Sequence, residues 1–382
     1  MSADPNSPYS RKNPFRARIS VNRRLTAEGS NKDTRHFEID LAGSGLAYEV
    51  GDSLGVFPKN DPELVDAILT RLGLSGHEEV TAPDGTAVAI REAMVGHFVI
   101  TEPSKQLLQA LAEKDSSAEH IPELLEPGAK PHLDNFLWGR DILDLLREFP
   151  EAQFTADEFA KTLRKLQPRL YSIASSQRAA GERVDLTVAI VRYTPNGKTR
   201  ARKGVCSTFL AERAEDGVPV FVHQAKHFRL PEDPAAPCIM VGPGTGIAPF
   251  RAFLQDRAAT AAPGRNWLVF GEQHAATDFF YKEEFEAHLA SGVLTKLTTA
   301  FSRDQDHKIY VQHRIAEHAA EIFQWLEDGA YFYVCGDAKN MAKDVDAALQ
   351  KAVESAGGLT PEQAREYIDQ LKKARRYRKD VY

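Results

Sequence analysis

The sequence has 382 residues, of which 42% are hydrophobic and 27% are charged, and its formal net charge is −6. At roughly 100 to 200 residues per domain, this length predicts two or three domains and excludes a single small binding module. The composition excludes extended disorder and collagen-like repeats. No apolar run approaches the roughly 20 residues of a membrane helix, and the first residues lack a signal-peptide core, so we expect a cytoplasmic protein without a membrane partner.

The cysteines and histidines do not form a metal-binding pattern. Cys206, Cys238 and Cys335 lie far apart without a C-x-x-C pair, which argues against iron–sulfur and zinc sites. The histidine pairs lack a third ligand, and the negative net charge argues against nucleic acid. We therefore expect no metal, and any redox chemistry must use an organic cofactor.

The first half of the chain predicts strands followed by helices. Residues 1–14 are polar and rich in Pro and Ser, which is typical of a flexible arm. Residues 15–59 alternate apolar and polar side chains as antiparallel strands do. Residues 60–166 then predict a helical connecting domain, beginning with a helix capped by Asp61 and ended by Gly73. Its last helix begins with a capping box at Thr155 to Glu158 and is expected to run to Leu166.

Strand character returns in residues 167–230, including a strand at 184–193 that is expected to be half-buried because apolar and polar residues alternate. Together with residues 15–59 this segment predicts an antiparallel β-barrel with a helical insert. In residues 231–382, buried runs at 238–241, 267–270, 294–301 and 330–335 alternate with helical patterns. That alternation predicts a doubly wound parallel sheet, so the fold class is α/β plus β-barrel.

A glycine-rich turn follows the first buried run of the α/β region. Gly242, Gly244, Thr245 and Gly246 lie between a strand and a helix, where backbone N–H groups face a diphosphate in nucleotide-binding proteins. The turn is not the standard G-x-G-x-x-G fingerprint, because Ile247 occupies the third glycine position. An ordinary tight turn is the alternative interpretation.

Three further strands of this region end at loops with chemically useful residues, and ligands of parallel sheets bind beyond such carboxyl ends. At the third exit, Ser302 and Arg303 are followed by Lys308 and Tyr310. A hydroxyl, two cations and an aromatic ring suit the 2′-phosphate of NADPH. The alternative is a plain surface loop in which nearby aspartates pair with the cations.

The barrel region contains two weaker motifs. Arg169-Leu170-Tyr171-Ser172 offers a cation for a diphosphate and a ring that packs on a flat ligand, and residues 204–207 offer N–H groups at a helix start. A core tyrosine and an ordinary helix cap are the alternatives.

Taken together, these motifs closely resemble the reductase half of diflavin reductases, the family that includes cytochrome P450 reductase. They are Arg-x-Tyr-Ser, the 204–208 turn, Gly-Pro-Gly-Thr-Gly-Ile-Ala-Pro-Phe-Arg, Ser-Arg with Lys-x-Tyr, Tyr-x-Cys-Gly-Asp and the final Arg-Arg-Tyr-Arg-Lys-Asp-Val-Tyr. Within the family, the sequence most resembles the flavoproteins of NADPH-dependent sulfite reduction. The resemblance implies a ferredoxin-NADP reductase-like fold with an FAD-binding barrel and an NADPH-binding domain at residues 231–382.

The resemblance also implies a role for individual residues. Those expected to bind FAD are Arg169, Leu170, Tyr171, Ser172, Thr187, Val188, Ala189, Tyr193, Gly204, Val205, Cys206, Ser207 and Tyr382. Those expected to bind NADPH are Gly242, Gly244, Thr245, Gly246, Ser302, Arg303, Lys308, Tyr310, Gln312 and Asp344. Those expected to surround the reacting atoms are Ser172, Cys335, Asp380 and Tyr382, the last stacked on the flavin.

Two departures from the family shape the expected function. The helical insert at residues 73–150 fits the family pattern poorly, and only a short arm precedes the barrel where full-length members carry an FMN domain. We therefore expect FAD but no FMN, and an electron acceptor on another protein: a sulfite reductase hemoprotein, a flavodoxin or a ferredoxin. The alternatives are a reductase serving another pathway and a regulatory module that binds flavin or nucleotide without turnover.

Overall fold

A computed structural model describes residues 7–382, and their contacts divide the chain into two compact units. The first unit comprises the residues up to Val56 together with Leu170–Ile190 and Glu215–Tyr382, and the second comprises Phe57–Arg169 and Val191–Ala214. Residues 1–6 of the predicted arm lie outside the described residues. Residues 7–14 contain no helix or strand, although Ser7 Oγ donates to the backbone oxygen of Ser44 at 3.1 Å.

Fifteen β-strands occur within residues 7–382. They are β1 (Phe15–Arg24), β2 (Thr34–Asp40), β3 (Ser53–Val56), β4 (Glu79–Thr81), β5 (Ala87–Ala89), β6 (Arg169–Ser172), β7 (Arg183–Ala189), β8 (Arg192–Tyr193), β9 (Arg202–Lys203), β10 (Val218–His223), β11 (Cys238–Val241), β12 (Asn266–Glu272), β13 (Lys296–Phe301), β14 (Tyr331–Gly336) and β15 (Tyr377–Val381).

Sixteen α-helices accompany them, and none of those in residues 7–382 has the length and apolar character needed to cross a membrane. They are α1 (Pro62–Leu72), α2 (Ile90–Gly96), α3 (Lys105–Lys114), α4 (Ile121–Leu124), α5 (Lys130–Leu137), α6 (Ile142–Glu148), α7 (Ala156–Thr162), α8 (Gln177–Ala180), α9 (Val205–Glu212), α10 (Ala248–Ala259), α11 (Ala275–Asp278), α12 (Lys282–Ala290), α13 (Val311–Glu317), α14 (Ala319–Glu327), α15 (Met341–Gly357) and α16 (Pro361–Lys373). Short 3₁₀ turns lie at Ser116–Ala118 and Gly244–Ile247.

The first unit contains the predicted antiparallel barrel. Six strands pair in the order β6-β3-β10-β1-β2-β7, and an isolated bridge between Ile173 and Leu186 joins the two ends of that order. Joining the edges removes exposed strand edges that would otherwise invite pairing with other chains.

The predicted half-buried strand is wrong, because β7 is buried on both faces. Asp185 and Thr187 are as inaccessible as their apolar neighbours. Each has a polar partner, since Arg251 donates to Asp185 Oδ2 at 2.8 Å and the Thr187 hydroxyl lies 2.7 Å from that of Tyr281. A buried polar group is tolerated when it is hydrogen-bonded, which the alternating pattern alone does not reveal.

The first unit also contains the predicted doubly wound sheet, with five parallel strands in the order β13-β12-β11-β14-β15. Alternate residues of β11 face opposite sides. Ile239 and Val241 join the apolar cluster that includes helices α13 to α16, whereas Cys238 and Met240 join the cluster that includes α10 and α12. The four predicted buried runs are β11 to β14, and helices cover both faces of the sheet.

The second unit is mainly helical around its own apolar core. Helix α1 confirms the sequence pattern, because Asp61 accepts from Glu63 N and Gly73 follows in the left-handed conformation with φ of 69°. Helix α7 has the predicted capping box but ends at Thr162, four residues earlier than expected. The segment beyond it pairs instead with neighbouring backbone, since Leu166 N donates to His97 O at 2.7 Å.

The two units do not follow the three predicted domains. The first contains the predicted NADPH region together with most of the predicted barrel, and the second takes residues 57–59, 167–169 and 191–214 of the predicted barrel. Residues 191–214, which the sequence pattern assigns to the barrel, group with the helical residues 57–169. Strands β8 and β9 pair only with each other in the described chain, so they do not extend the six-stranded sheet.

Candidate nucleotide and flavin sites

The glycine-rich turn lies at the carboxyl end of β11, where a 3₁₀ turn leads into α10. Gly244 has a left-handed φ of 57°. A Cβ at Gly246 would lie 2.1 Å from the backbone oxygen of Cys335, so no larger side chain fits there without moving β14. The turn therefore requires glycine for backbone packing, and Thr245 between the two glycines remains partly exposed.

The order of the parallel sheet brings the predicted strand exits to one edge. β11 lies between β12 and β14, and β13 lies beyond β12, so the loops after Val241, Glu272, Phe301 and Gly336 share the carboxyl end. This is the position at which open parallel sheets bind ligands.

Two cations lie on the loop that follows β13. Arg303 and Lys308 are exposed, and within residues 7–382 neither forms an ion pair. Asp304, which with Asp306 was the alternative partner of these cations, instead accepts from His274 Nδ1 and from Ala275 N, both at 2.9 Å. The cations are therefore available for an anion from solution.

The remaining predicted NADPH residues extend from this loop. Ser302 is buried, and its backbone N donates to Glu272 O at 2.8 Å. Tyr310 is 40% exposed, and its ring already stacks on a neighbouring histidine ring with the two centroids 5.9 Å apart. Gln312 Nε2 donates to Asp344 Oδ2 at 3.2 Å, so the amide predicted for the adenosine end and the carboxylate predicted for the ribose lie together.

Three of the residues predicted to surround the reacting atoms meet where β14 and β15 end. Ser172 Oγ donates to Asp380 Oδ2 at 2.7 Å, and Cys335 Sγ lies 3.9 Å from the same oxygen. Cys335 and Asp380 are direct neighbours in the parallel pairing of β14 with β15. Burial and the negative charge of Asp380 raise the pKa of the Cys335 thiol well above its usual value. Cys335 is therefore a neutral thiol, and Asp380 carries the polar contacts.

Tyr382 adjoins this cluster. Its backbone N donates to Gly336 O at 3.1 Å, and its own backbone oxygen accepts from Ala338 N at 3.0 Å. The side chain is 63% exposed, and its hydroxyl lies 3.0 Å from Thr245 Oγ1 of the glycine-rich turn. The backbone is thus anchored while most of the ring stays accessible.

The predicted flavin residues of the first unit fall into an exposed and a buried group. Leu170 is 49% exposed and Ala189 is exposed, whereas Tyr171 is half-buried. Thr187 and Val188 are buried inside the protein, and the Thr187 hydroxyl already contacts Tyr281. The side chains of those two residues are therefore directed to packing.

The predicted flavin residues of the second unit meet around a cavity of about 450 Å³. Arg169, Tyr193, Gly204 and Val205 all line it. Gly204 is the N-cap of helix α9, and no side chain among residues 7–382 caps that helix start, while Cys206 and Ser207 are buried behind it. An uncapped helix start beside an exposed arginine is chemically suited to a diphosphate.

The sequence missed the charged residues that surround this cavity. Asp61, Asp141, Arg200, Arg202 and Lys203 line it as well. A possible signal was the spacing of the charges, because Asp141 and Asp144 lie one helical turn apart and Arg200 and Arg202 lie two residues apart.

One buried cluster in the first unit has the spacing of a metal site. Ligand atoms of His36, Glu38 and Asp185 lie within 4.8 Å of one another. Guanidinium groups already pair with its carboxylates, since Arg183 Nη1 lies 3.0 Å from Glu38 and Arg251 Nη1 lies 2.8 Å from Asp185. These two guanidinium groups compete directly with a metal ion for the carboxylates.

Comparison with protein families assigns both halves of the chain. An FAD binding domain model matches residues 7–209, and an oxidoreductase NAD-binding domain model matches residues 240–347. The chain belongs to the FAD binding domain family. Because that match runs through residues 73–150, the expectation that the helical insert departs from the family is wrong.

Curated relatives are sulfite reductase (NADPH) flavoprotein alpha-components. The Bacillus subtilis protein is 48% identical over 379 residues, which cover 98% of this chain and 62% of the relative. Those of Vibrio cholerae and of Escherichia coli O9:H4 are 49% and 46% identical over 378 residues, covering 98% of this chain and 60% and 62% of the relatives. The chain thus spans about three fifths of the length of the curated relatives it matches.

Proposed function

We propose that this chain takes electrons from NADPH into FAD and passes them to a separate acceptor protein, acting as the reductase portion of a sulfite reductase flavoprotein. The observation that carries the proposal is the Ser172, Asp380 and Cys335 cluster, which adjoins the glycine-rich turn through Tyr382 and Thr245. The names of the relatives support sulfite reduction as the pathway. A cytoplasmic location is part of the proposal, and fractionation of the native host tests it.

The residues present fit the two cofactors. Arg303 and Lys308 are exposed and form no ion pair with any residue in the described part of the chain, which suits the 2′-phosphate of NADPH, and the turn containing Gly246 suits its diphosphate. The uncapped start of α9 and Arg169 suit the diphosphate of FAD. We propose that residues 15–59 and 167–230 bind FAD and that residues 231–382 bind NADPH.

FAD, when bound, supplies the conversion of a two-electron donor into a source of single electrons. The chain's own residues supply position and electrostatics. Asp380 Oδ2 accepts the hydrogen bond that the Ser172 hydroxyl donates, and burial together with the charge of Asp380 raises the pKa of Cys335 and keeps it a thiol. Tyr382 presents a ring that stacks on a flat ligand. Such stacking contributes about 0.5 to 1.5 kcal/mol, so a competing ring displaces Tyr382 at a small cost in free energy.

The proposed acceptor is the hemoprotein component of sulfite reductase, with a flavodoxin or a ferredoxin as the alternative. Purified protein is mixed with NADPH under anaerobic conditions, and bleaching of the bound flavin is followed by absorbance. Each candidate carrier is then added to the reduced protein, and the rate of flavin reoxidation is compared.

The proposal expects rapid bleaching by NADPH, and fastest reoxidation by the sulfite reductase hemoprotein. Asp380→Asn is expected to slow bleaching by about tenfold or more. Asp328→Asn is the matched control, because Asp328 forms an exposed pair with Arg265 and should not change the rate. A protein that binds flavin but is not bleached by NADPH is instead a binding module without turnover.

A further inference from the structure

The hairpin of β8 and β9 leads directly into the turn at Gly204, and its arginines are bound to the helical segment of the second unit. Arg202 is only 8% exposed. It donates to Gly139 O at 2.8 Å and to Arg200 O at 3.0 Å, and it also donates to the carboxylate of Asp144. This guanidinium is thus fully engaged inside the protein.

The acceptors belong to the start of helix α6. Asp141 and Asp144 form its capping box, in which each carboxylate accepts from the other residue's backbone N at 3.1 and 2.9 Å. Arg200 Nη2 donates to both carboxylate oxygens of Asp141 at 2.5 and 2.6 Å. Two carboxylates at a helix N-terminus are favoured by the helix dipole, and here they also bind two guanidinium groups.

The next residue is attached in the same way. Lys203 Nζ lies 2.7 Å from Asp61 Oδ2, and Asp61 is the N-cap of α1. Gly204 N then donates to Val191 O at 2.8 Å, and Gly204 O accepts from Thr208 N. The strand that enters the turn is therefore fixed at successive side chains to the starts of two helices.

We propose that Arg202 is a positioning residue for the diphosphate of FAD. The helical segment, through the pairing of Asp144 with Arg202, holds the 204–207 turn in place. This inference rests on the proposed FAD site. Because Asp144 and Asp141 pair with the arginine charges, Arg202 acts through the turn and not as a ligand. A turn held before the ligand arrives loses less conformational entropy on binding, which raises affinity.

The test measures FAD affinity in Arg202→Met. Apoprotein is titrated with FAD, and the dissociation constant is read from quenching of flavin fluorescence. The inference expects a loss of affinity of tenfold or more for Arg202→Met. Arg192→Met is the matched control on the same hairpin, because Arg192 pairs with Glu212 on an exposed surface, and its FAD affinity should stay within twofold of the parent.

Riboflavin, which lacks the diphosphate, separates positioning from general damage. The inference expects Arg202→Met to lower FAD affinity much more than riboflavin affinity, and Arg202→Lys to recover part of the loss. Asp144→Asn should reduce FAD affinity in the parent but add little in the Arg202→Met background. Equal losses for FAD and riboflavin would overturn the inference, as would unchanged FAD affinity.

The proposed function and the inference fail in different ways. A parent protein that does not bind FAD contradicts both. A parent that binds FAD, with an Arg202→Met variant that binds it equally well, contradicts the inference alone. Binding of adenosine 2′,5′-bisphosphate, a probe of the Arg303 and Lys308 loop, should be unchanged in Arg202→Met, and its loss would indicate misfolding and overturn the inference.

Discussion

Replacing Arg251 with methionine is expected to destabilise the first unit more than any exposed arginine replacement. Arg251 is 8% exposed; it donates to Ala174 O, Asp185 Oδ2 and Glu284 Oε2 at 2.8 Å each and lies over the ring of Tyr281. Methionine fills a similar volume but leaves the buried Asp185 carboxylate without its Arg251 partner. Removing one partner of a buried ion pair costs roughly 3 to 5 kcal/mol.

The contacts of Asp185 place the expected loss at the lower end of that range. Arg183 Nε still donates to Asp185 Oδ1 at 2.9 Å, so part of the negative charge remains compensated. About 3 kcal/mol corresponds to a decrease in Tm of roughly 6 to 12 °C for a unit of this size. Urea denaturation and thermal melting at saturating FAD measure the change.

Arg265→Met is the matched control. Arg265 also pairs with one carboxylate, that of Asp328, and lies over the ring of Trp325, but its side chain is 46% exposed. Exposed pairs contribute about 0 to 1 kcal/mol, so its Tm should fall by no more than about 4 °C. The double variant Arg251→Met with Asp185→Asn should be more stable than Arg251→Met alone. Equal losses for Arg251→Met and Arg265→Met would refute the reasoning.

The same variant has an expected pH dependence through His36. Burial, followed by the positive charge of Arg251, lowers the pKa of His36, whereas Asp185 raises it. The folded parent therefore resists a proton that the unfolded chain accepts near pH 6.5, and its stability falls as the pH drops below that value. Without Arg251, His36 accepts the proton more easily in the folded state, so the penalty of Arg251→Met should shrink between pH 7.5 and pH 5.5.

Three further outcomes are expected. Changing Arg303 and Lys308 together to Ala should raise the KM for NADPH about a hundredfold, because two charge-assisted hydrogen bonds contribute roughly 3 kcal/mol. Steady-state kinetics should show the KM for NADH nearly unaffected, and equal losses for the two cofactors would contradict the assignment. Tyr382→Ala should improve the kcat/KM for NADH relative to NADPH by about two- to tenfold and change the flavin spectrum, whereas an unchanged spectrum would mean that another group covers the flavin. Gly246→Ala should weaken NADPH binding in calorimetry by tenfold or more, because its Cβ would overlap the backbone oxygen at the end of β14, whereas Gly96→Ala, which meets open space, should not.

Much of the fold was predictable because local signals and tertiary structure agree. Asp61 and Gly73 delimit α1 as the capping rules predict, and the four apolar runs predicted for the parallel sheet are its strands β11 to β14. Strand β15 was missed, since Tyr377–Val381 contains three charged residues and resembles no buried run. It is an edge strand, where charged side chains are tolerated because one side faces solvent.

The candidate sites divide along the same line. The glycine-rich turn and the Ser302 to Tyr310 loop are each a single stretch of sequence, so their chemistry could be predicted from the sequence alone. The pairing of Arg202 with Asp144 joins residues 58 positions apart, and that of Arg251 with Asp185 joins residues 66 apart. Sequence patterns describe neighbours along the chain, and long-range ion pairs carry no periodic signal, so only the structure identified them.

The way the two units interleave along the chain sets the order in which they can be completed during synthesis. The second unit needs nothing beyond Ala214, whereas the first needs the strands and helices up to Tyr382. At about 5 to 20 residues per second, the intervening stretch takes roughly 10 to 30 s to emerge from the ribosome. Throughout that interval β1, which pairs with both β2 and β10, is already made while the parallel sheet is not. Strand β7 meanwhile presents Asp185 before its partner Arg251 has been translated, so the nascent barrel must pass through a stage in which that carboxylate is still exposed to water.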